Sequence, residues 1–185
     1  MSIYQFIANN RLQPADAVEL VCPNACFPKH YAIYIGLQDG QPAFIANLVD
    51  GVRIIKDKEM LNFVVRYHIT GIERFKGSMS QRLLAIKKAV SRCGESAYSI
   101  VFNNCEHFKN WVLYNEPTSK QVAKLGLKTI ATGISLCLIG DAAKNKGLQK
   151  AGLILLSILI ILVALAFLLY NPIANNGTSY VENRD

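Results

Sequence analysis

Residues 151–170, AGLILLSILIILVALAFLLY, are twenty consecutive positions without a charge. At 1.5 Å rise per residue, a helix of that length spans the hydrocarbon core of a bilayer. The run follows residues 1–150, which are polar and mixed in composition, so it reads as a permanent tail anchor and not as a cleaved leader. Lys144, Lys146 and Lys150 precede it, and Glu182, Arg184 and Asp185 follow it. The positive-inside bias therefore predicts a single-pass membrane protein with residues 1–150 in the cytosol and a lumenal C-terminus. Asn176-Gly177-Thr178, six residues beyond Tyr170, is a formal glycosylation acceptor that this orientation places in the lumen.

The stretch before the anchor is an ordinary single-domain length, enough for a real hydrophobic core. A net charge of +7 raises the question of nucleic acid. However, Lys120, Lys124, Lys128, Lys144, Lys146 and Lys150 all lie near the predicted membrane and are opposed there only by Asp141. Anionic lipid headgroups are thus the nearer partner, and no nucleic acid is expected. The five cysteines form an odd, sparse set, which a cytosolic domain keeps as free thiols. Cys22-x3-Cys26-x3-His30 has a faint metal-like spacing but lacks the paired second half of a structural zinc site.

Short strands with turn residues between them mark the first half: Ala17–Val21, a loop through Pro23, Asn24 and Pro28, then Tyr31–Ile35 ending at Gly36. Asp39-Gly40 predicts a hairpin into Ala43–Leu48, and Asp50-Gly51 turns again into Val52–Ile55. Asn62–Tyr67 reads as one more strand, giving an antiparallel meander. After Gly77 the period changes: Ser78 caps a helix whose inner face is Met79, Leu83, Ile86 and Val90, with Gln81, Lys88 and Arg92 turned away. A brief run, Tyr98–Phe102, then leads into Asn103-Asn104-Cys105-Glu106-His107-Phe108. Segment 121–143 is apolar but interrupted by Gly126, Gly133 and Gly140, and it reads as an interfacial or buried connecting helix instead of a second span.

Asn103-x-x-Glu106 has the spacing of a capping box, which puts Cys105 in the first turn of a helix. Unpaired amides and the helix dipole favour a thiolate there, the form that attacks a carbonyl. A thiol nucleophile also needs a base, and the chain has three histidines. His30 opens a strand, His68 stands beside a polar turn at Thr70-Gly71, and His107 points about 200° away from Cys105 on a helix. A cysteine at a helix start can equally be structural and a strand-edge histidine merely hydrogen-bonded, so spacing alone leaves their contact open.

His30-Tyr31-Ala32-Ile33-Tyr34-Ile35-Gly36 together with Asn104-Cys105-Glu106-His107-Phe108 resembles the lecithin retinol acyltransferase-like family, and among its members the small membrane-anchored phospholipase/acyltransferases. The likeness extends to Pro14-Ala15-Asp16-Ala17-Val18-Glu19-Leu20 and to Ser119-x-Gln121-Val122. It implies an α+β fold, a permuted papain-like (NlpC-type) domain with an antiparallel sheet, followed by the transmembrane helix. The expected division is a catalytic domain over 1–125, a basic and apolar connector over 126–150, the span over 151–170 and a short lumenal tail over 171–185. By resemblance, Cys105 is the nucleophile and His30 the general base and acid. Where the family carries a second histidine, in a His-Leu pair, this chain has Asn47 within Ala46-Asn47-Leu48. An asparagine carbonyl can orient an imidazole, as in Cys-His-Asn proteases.

The resemblance further implies phospholipase A1/A2 and acyltransferase action on membrane phospholipids through an acyl-cysteine, with water, a lysophospholipid or phosphatidylethanolamine as acceptor and no metal or organic cofactor. Two alternatives compete with it. One is a cysteine peptidase or deamidase using the same pair of residues, and the other is a membrane-tethered interaction module whose site, marked by Asn47, no longer turns over.

Overall fold

A computed structural model describes residues 2–21, 29–56, 59, 62–63, 66–96 and 103–169. Cys22, Cys26, the Pro23–Pro28 loop, Tyr98–Phe102, Tyr170 and the Asn176 acceptor lie outside the described residues. The chain divides into two compact units, 1–122 and 123–185.

In the first unit, a helix α1 (Ile3–Asn9) precedes strands β1 (Ala17–Val21), β2 (His30–Gln38), β3 (Gln41–Leu48), β4 (Gly51–Ile55) and β5 (His68–Glu73), which are followed by helices α2 (Met79–Val90) and α3 (Cys105–Tyr114). The strands make one antiparallel sheet in the order β4-β3-β2-β1-β5. Alternation along each strand gives the sheet two buried faces. Val18, Leu20, Ala32, Tyr34, Phe44 and Ile55 meet Ile3 and Phe6 of α1 on one face. Ala17, Ile33, Ile35, Ala43, Ile45 and Val52 meet Ala85 and Ala89 of α2 and Phe108 and Val112 of α3 on the other. The core is therefore layered helix, sheet, helices, an α+β arrangement.

The hairpins fall where the turn residues put them. Asp39 and Gly40 both take positive φ, 53° and 77°, as a tight two-residue β-turn demands. Gly51 has φ 119° and packs so closely on the Glu95 carbonyl that a Cβ would stand 2.5 Å from its oxygen. Gly36, in contrast, does not end its strand: with φ 95° it sits at a break in the β2–β3 register, and the strand runs on to Gln38.

Four expectations are corrected. Asn62, Phe63 and Arg66 are helical, with the Tyr67 amide donating to the Phe63 carbonyl at 3.0 Å, so the described residues of 62–67 are not strand. The strand comes later, at β5, where Thr70-Gly71 is not a turn and Gly71 pairs opposite Glu19. Because β5 returns to lie beside β1, the sheet is not a simple meander. In α2 the capping box at Ser78 and Gln81 is present, yet the buried face is Arg82, Ala85 and Ala89, while Met79, Leu83 and Val90 are exposed.

The reason for the rotation of α2 is Asp16, 1% exposed. It accepts from Arg82 Nη1 at 2.9 Å, Arg74 Nη1 at 2.8 Å and the backbone amides of Gln13 and Phe75, both at 3.1 Å. Arg82 also donates to the carbonyls of Pro14 and Phe75. A buried carboxylate needs this saturation, and satisfying it overrides the apolar stripe.

The second unit carries the long helices. Within α4 (Lys120–Ala142) and α5 (Lys146–Leu169), the stretches Lys120–Ala142 and Lys146–Leu165 are each long and apolar enough to cross a membrane. This overturns the single-pass expectation. An even number of crossings returns a chain to the side it left, so the lumenal assignment of the C-terminus, paired with a cytosolic catalytic domain, falls with it. None of the three glycines interrupts α4, and Gly133 and Gly140 are contact positions, while Gly126 has nothing within 4 Å of where a Cβ would stand. A Cβ on Gly133 would stand 2.8 Å from Leu156, and one on Gly152 would stand 2.6 Å from both Cys137 Sγ and the Gly133 carbonyl. Small residues let the two backbones approach, which is how apolar helices gain contact when lipid removes the hydrophobic drive.

Candidate active site

Cys105 is the first residue of α3, and it is 2% exposed. The cap is Asn104, not Asn103: its side chain accepts from the amides of Glu106 at 2.9 Å and His107 at 3.0 Å. Glu106 does not reach back to complete a capping box. Its carboxylate, 4% exposed, instead accepts from the Ser119 hydroxyl at 2.5 Å and the Gln121 amide at 3.1 Å.

The fold brings Cys105 to the start of β2. Its Sγ lies 3.8 Å from His30 Nδ1 and 3.6 Å from the Lys29 carbonyl oxygen, across 75 residues of sequence. The His30 ring meets Tyr67 edge-on, with centroids 5.0 Å apart. His68 is exposed on β5, and His107 is half-buried with a buried Nδ1 that has no hydrogen-bond partner among the described residues.

Burial pushes the Cys105 thiol up to about 11; the Tyr31 amide opposes it, the Glu106 charge adds to it, and the amides of Glu106 and Cys105 oppose it. Burial also holds the His30 imidazole below its ordinary value. Both shifts keep the proton on sulfur. The helix start therefore does not yield the preformed thiolate expected from its dipole, because desolvation outweighs the amides.

Asn47, 1% exposed, sits on β3 beside β2. Its Nδ2 donates to the Asn103 carbonyl at 2.9 Å and to Asn103 Oδ1 at 3.2 Å. Its Oδ1 has no hydrogen-bond partner among the described residues. The sequence thus contains both the contact that anchors Asn47 and the acceptor it leaves over, but only the tertiary structure separates the two ends of the amide.

Two hollows flank these residues. One, of about 300 Å³, is lined with charge by Glu73, Glu106, Lys109 and Lys120. The other, of about 510 Å³, has His30 in its wall with apolar Leu48, Phe63 and Tyr67, the cation Arg66, and Arg53 paired with Asp50 and Glu59. The second is the one a reacting group could enter, since it opens on the imidazole. Sequence reasoning missed Lys29, whose backbone carbonyl carries no sequence signal, and Tyr67, which it placed in a strand. It did notice Ser119-x-Gln121 without a role for either residue. Among the described residues, no cluster of three metal-ligating side chains occurs.

A thiol at a helix start against an imidazole at a strand start, on an antiparallel sheet with apolar C-terminal helices, defines the class: an α+β domain with a cysteine–histidine site. Residues 10–118 match the lecithin retinol acyltransferase family, and the chain belongs to it. It is similar to phospholipase A and acyltransferase 3 of Pongo abelii, 26% identical over 158 residues that cover 75% of this chain and 94% of that one. Phospholipase A and acyltransferase 1 of Mus musculus is 27% identical over 144 residues, 66% of this chain and 81% of its own. Phospholipase A and acyltransferase 3 of Homo sapiens is 25% identical over 158 residues, with 75% and 94% coverage.

Proposed function

We propose that the chain is a thiol-dependent phospholipase A and acyltransferase acting on glycerophospholipids through an acyl-cysteine. The observation that carries the reading is the 3.8 Å approach of Cys105 Sγ to His30 Nδ1 inside a domain of this family. His30 Nδ1 accepts the thiol proton as sulfur attacks the ester carbonyl. The tetrahedral intermediate collapses, the C–O bond breaks, and the same proton passes from His30 to the departing lysophospholipid oxygen. The acyl group stays on sulfur as a thioester until water, a lysophospholipid hydroxyl or the amine of phosphatidylethanolamine attacks it, with His30 again moving the proton.

In this reading Asn47 is a positioning residue. Its nitrogen is tied to Asn103 and its Oδ1 is left without a partner among the described residues, an acceptor for the second N–H of the His30 ring once that ring turns toward it. We assign the oxyanion to the amides that crowd the sulfur, those of Tyr31, Glu106 and Cys105. The order of the histidine strand before the cysteine helix supports reading the domain as permuted papain-like. Apolar helices that cross the membrane keep the domain beside its substrate and raise the effective substrate concentration.

The test is the intermediate. Full-length protein mixed with phosphatidylcholine vesicles and quenched in acid should carry one acyl mass on the Cys105 peptide, absent from Cys105→Ala. Turnover with no adduct at Cys105, or cleavage of peptides but not lipid, defeats the proposal.

A further inference from the structure

We propose that Gln121 is a positioning residue for the Cys105–His30 couple, acting through the Lys29 carbonyl and held in place by the buried Glu106–Ser119 pair. The inference rests on the catalytic reading above, and it starts from a feature that reading does not use. Glu106 stands next to the nucleophile, is nearly inaccessible, and its charge opposes formation of a thiolate. Burying a carboxylate in such a place is costly unless its oxygens are filled.

One of them, Oε2, takes two donors from outside α3. The Ser119 hydroxyl donates at 2.5 Å, and the Gln121 amide donates at 3.1 Å, thirteen and fifteen residues on. Ser119 Oγ also accepts from the Val122 amide at 3.3 Å, so the same serine caps the first turn of α4. The carboxylate thereby fastens the first turn of α4 to the first turn of α3.

Gln121 is what that fastening presents. Its Nε2 donates at 3.2 Å to the Lys29 carbonyl oxygen, the same oxygen that the Cys105 thiol approaches at 3.6 Å. A carbonyl has two lone pairs, so it can take both donors at once. That carbonyl belongs to the peptide joining Lys29 to His30. Holding it fixes the plane at which β2 begins, and with it the separation of Nδ1 from Sγ. The glutamine also draws off negative potential that the bare oxygen would turn on a thiolate. Taken together, the contacts connect Ser119 and Gln121 to the reacting pair through four hydrogen bonds.

The experiment compares Gln121→Met, which keeps the length and removes the donor, with Glu106→Gln, which keeps an acceptor and removes the charge. Full-length protein in detergent is alkylated with iodoacetamide across pH, and the Cys105 peptide is quantified by mass. Gln121→Met should move the pH midpoint of alkylation upward and lower kcat on phosphatidylcholine by about tenfold with KM unchanged, as expected for misplaced reacting groups. Glu106→Gln should move the midpoint downward. A Gln121→Met protein with wild-type midpoint and with kcat within about twofold of wild type overturns the proposal. If that variant loses the native emission of Trp111, Gln121→Ser is judged by the same two criteria. Alkylation needs no lipid: if the wild-type protein forms no acyl-enzyme, the function falls, while the midpoints still decide the role of Gln121.

Discussion

Replacing His30 with alanine should abolish lipid turnover but leave Cys105 at least as reactive toward a small alkylating agent as in the wild type. The magnitude follows from the burial of the pair. With its pKa at about 11 instead of 9.0, Cys105 carries about one thiolate in 10⁴ at pH 7, against about one in 10² for an unburied thiol. Iodoacetamide should therefore label Cys105 about 100-fold more slowly than a cysteine peptide, with a rate rising about tenfold per pH unit up to its pKa. His30, held neutral by burial, contributes no positive charge to the resting sulfur, so its loss removes no stabilisation of thiolate. Opening the site to water lowers the desolvation cost and speeds labelling. Mass analysis of the Cys105 peptide isolates this thiol from the other four in the chain. A labelling plateau from about pH 4 to pH 8 in the wild type, lost in His30→Ala, is the signature of a thiolate–imidazolium pair and would refute the neutral resting state.

Asp16→Ala should cost about 3–5 kcal/mol, because it leaves Arg82 buried without its anion, read in urea from the single tryptophan, Trp111. In the wild type, burial pushes the Asp16 carboxyl up, but Arg82, the Gln13 amide, Arg74 and the Phe75 amide outweigh it and leave it below 3.8. Its contribution is therefore present above that pH and lost as pH falls through the lower folded value, so the urea midpoint should drop on acidification in the wild type and vary less in Asp16→Ala. Asn104→Ala should cost about 1 kcal/mol through loss of the α3 cap, with kcat falling more than stability because Cys105 is the next residue. Gly152→Val should part α4 from α5 and raise labelling of Cys137 by a lipid-soluble maleimide, with Trp111 emission unchanged.

Local chemistry made much of this protein legible. Strands β1 to β4 follow from β-branched and aromatic runs cut by Asp39-Gly40 and Asp50-Gly51, because turn conformation is a property of two or three residues. The α2 start follows from Ser78 and Gln81 for the same reason. Non-local satisfaction was not legible. The apolar stripe of α2 is displaced by an Arg82 whose partner lies 66 residues away, and Asn62–Tyr67 reads as strand although its described residues 62, 63 and 66 are helical, because short apolar runs take their conformation from their neighbours. Gly133 and Gly140 of α4 look like breaks in one dimension and are contacts in three.

The sequence by itself determined the family, the four early strands, the apolar α5 and the residues whose chemistry suits acyl transfer, since motif, period and composition are carried by the chain alone. Tertiary structure decided that Cys105 meets His30, that burial keeps both neutral, and that Glu106 turns to Ser119 and Gln121. Each of these depends on groups distant in sequence competing for the same buried space, and desolvation there exceeds any local preference.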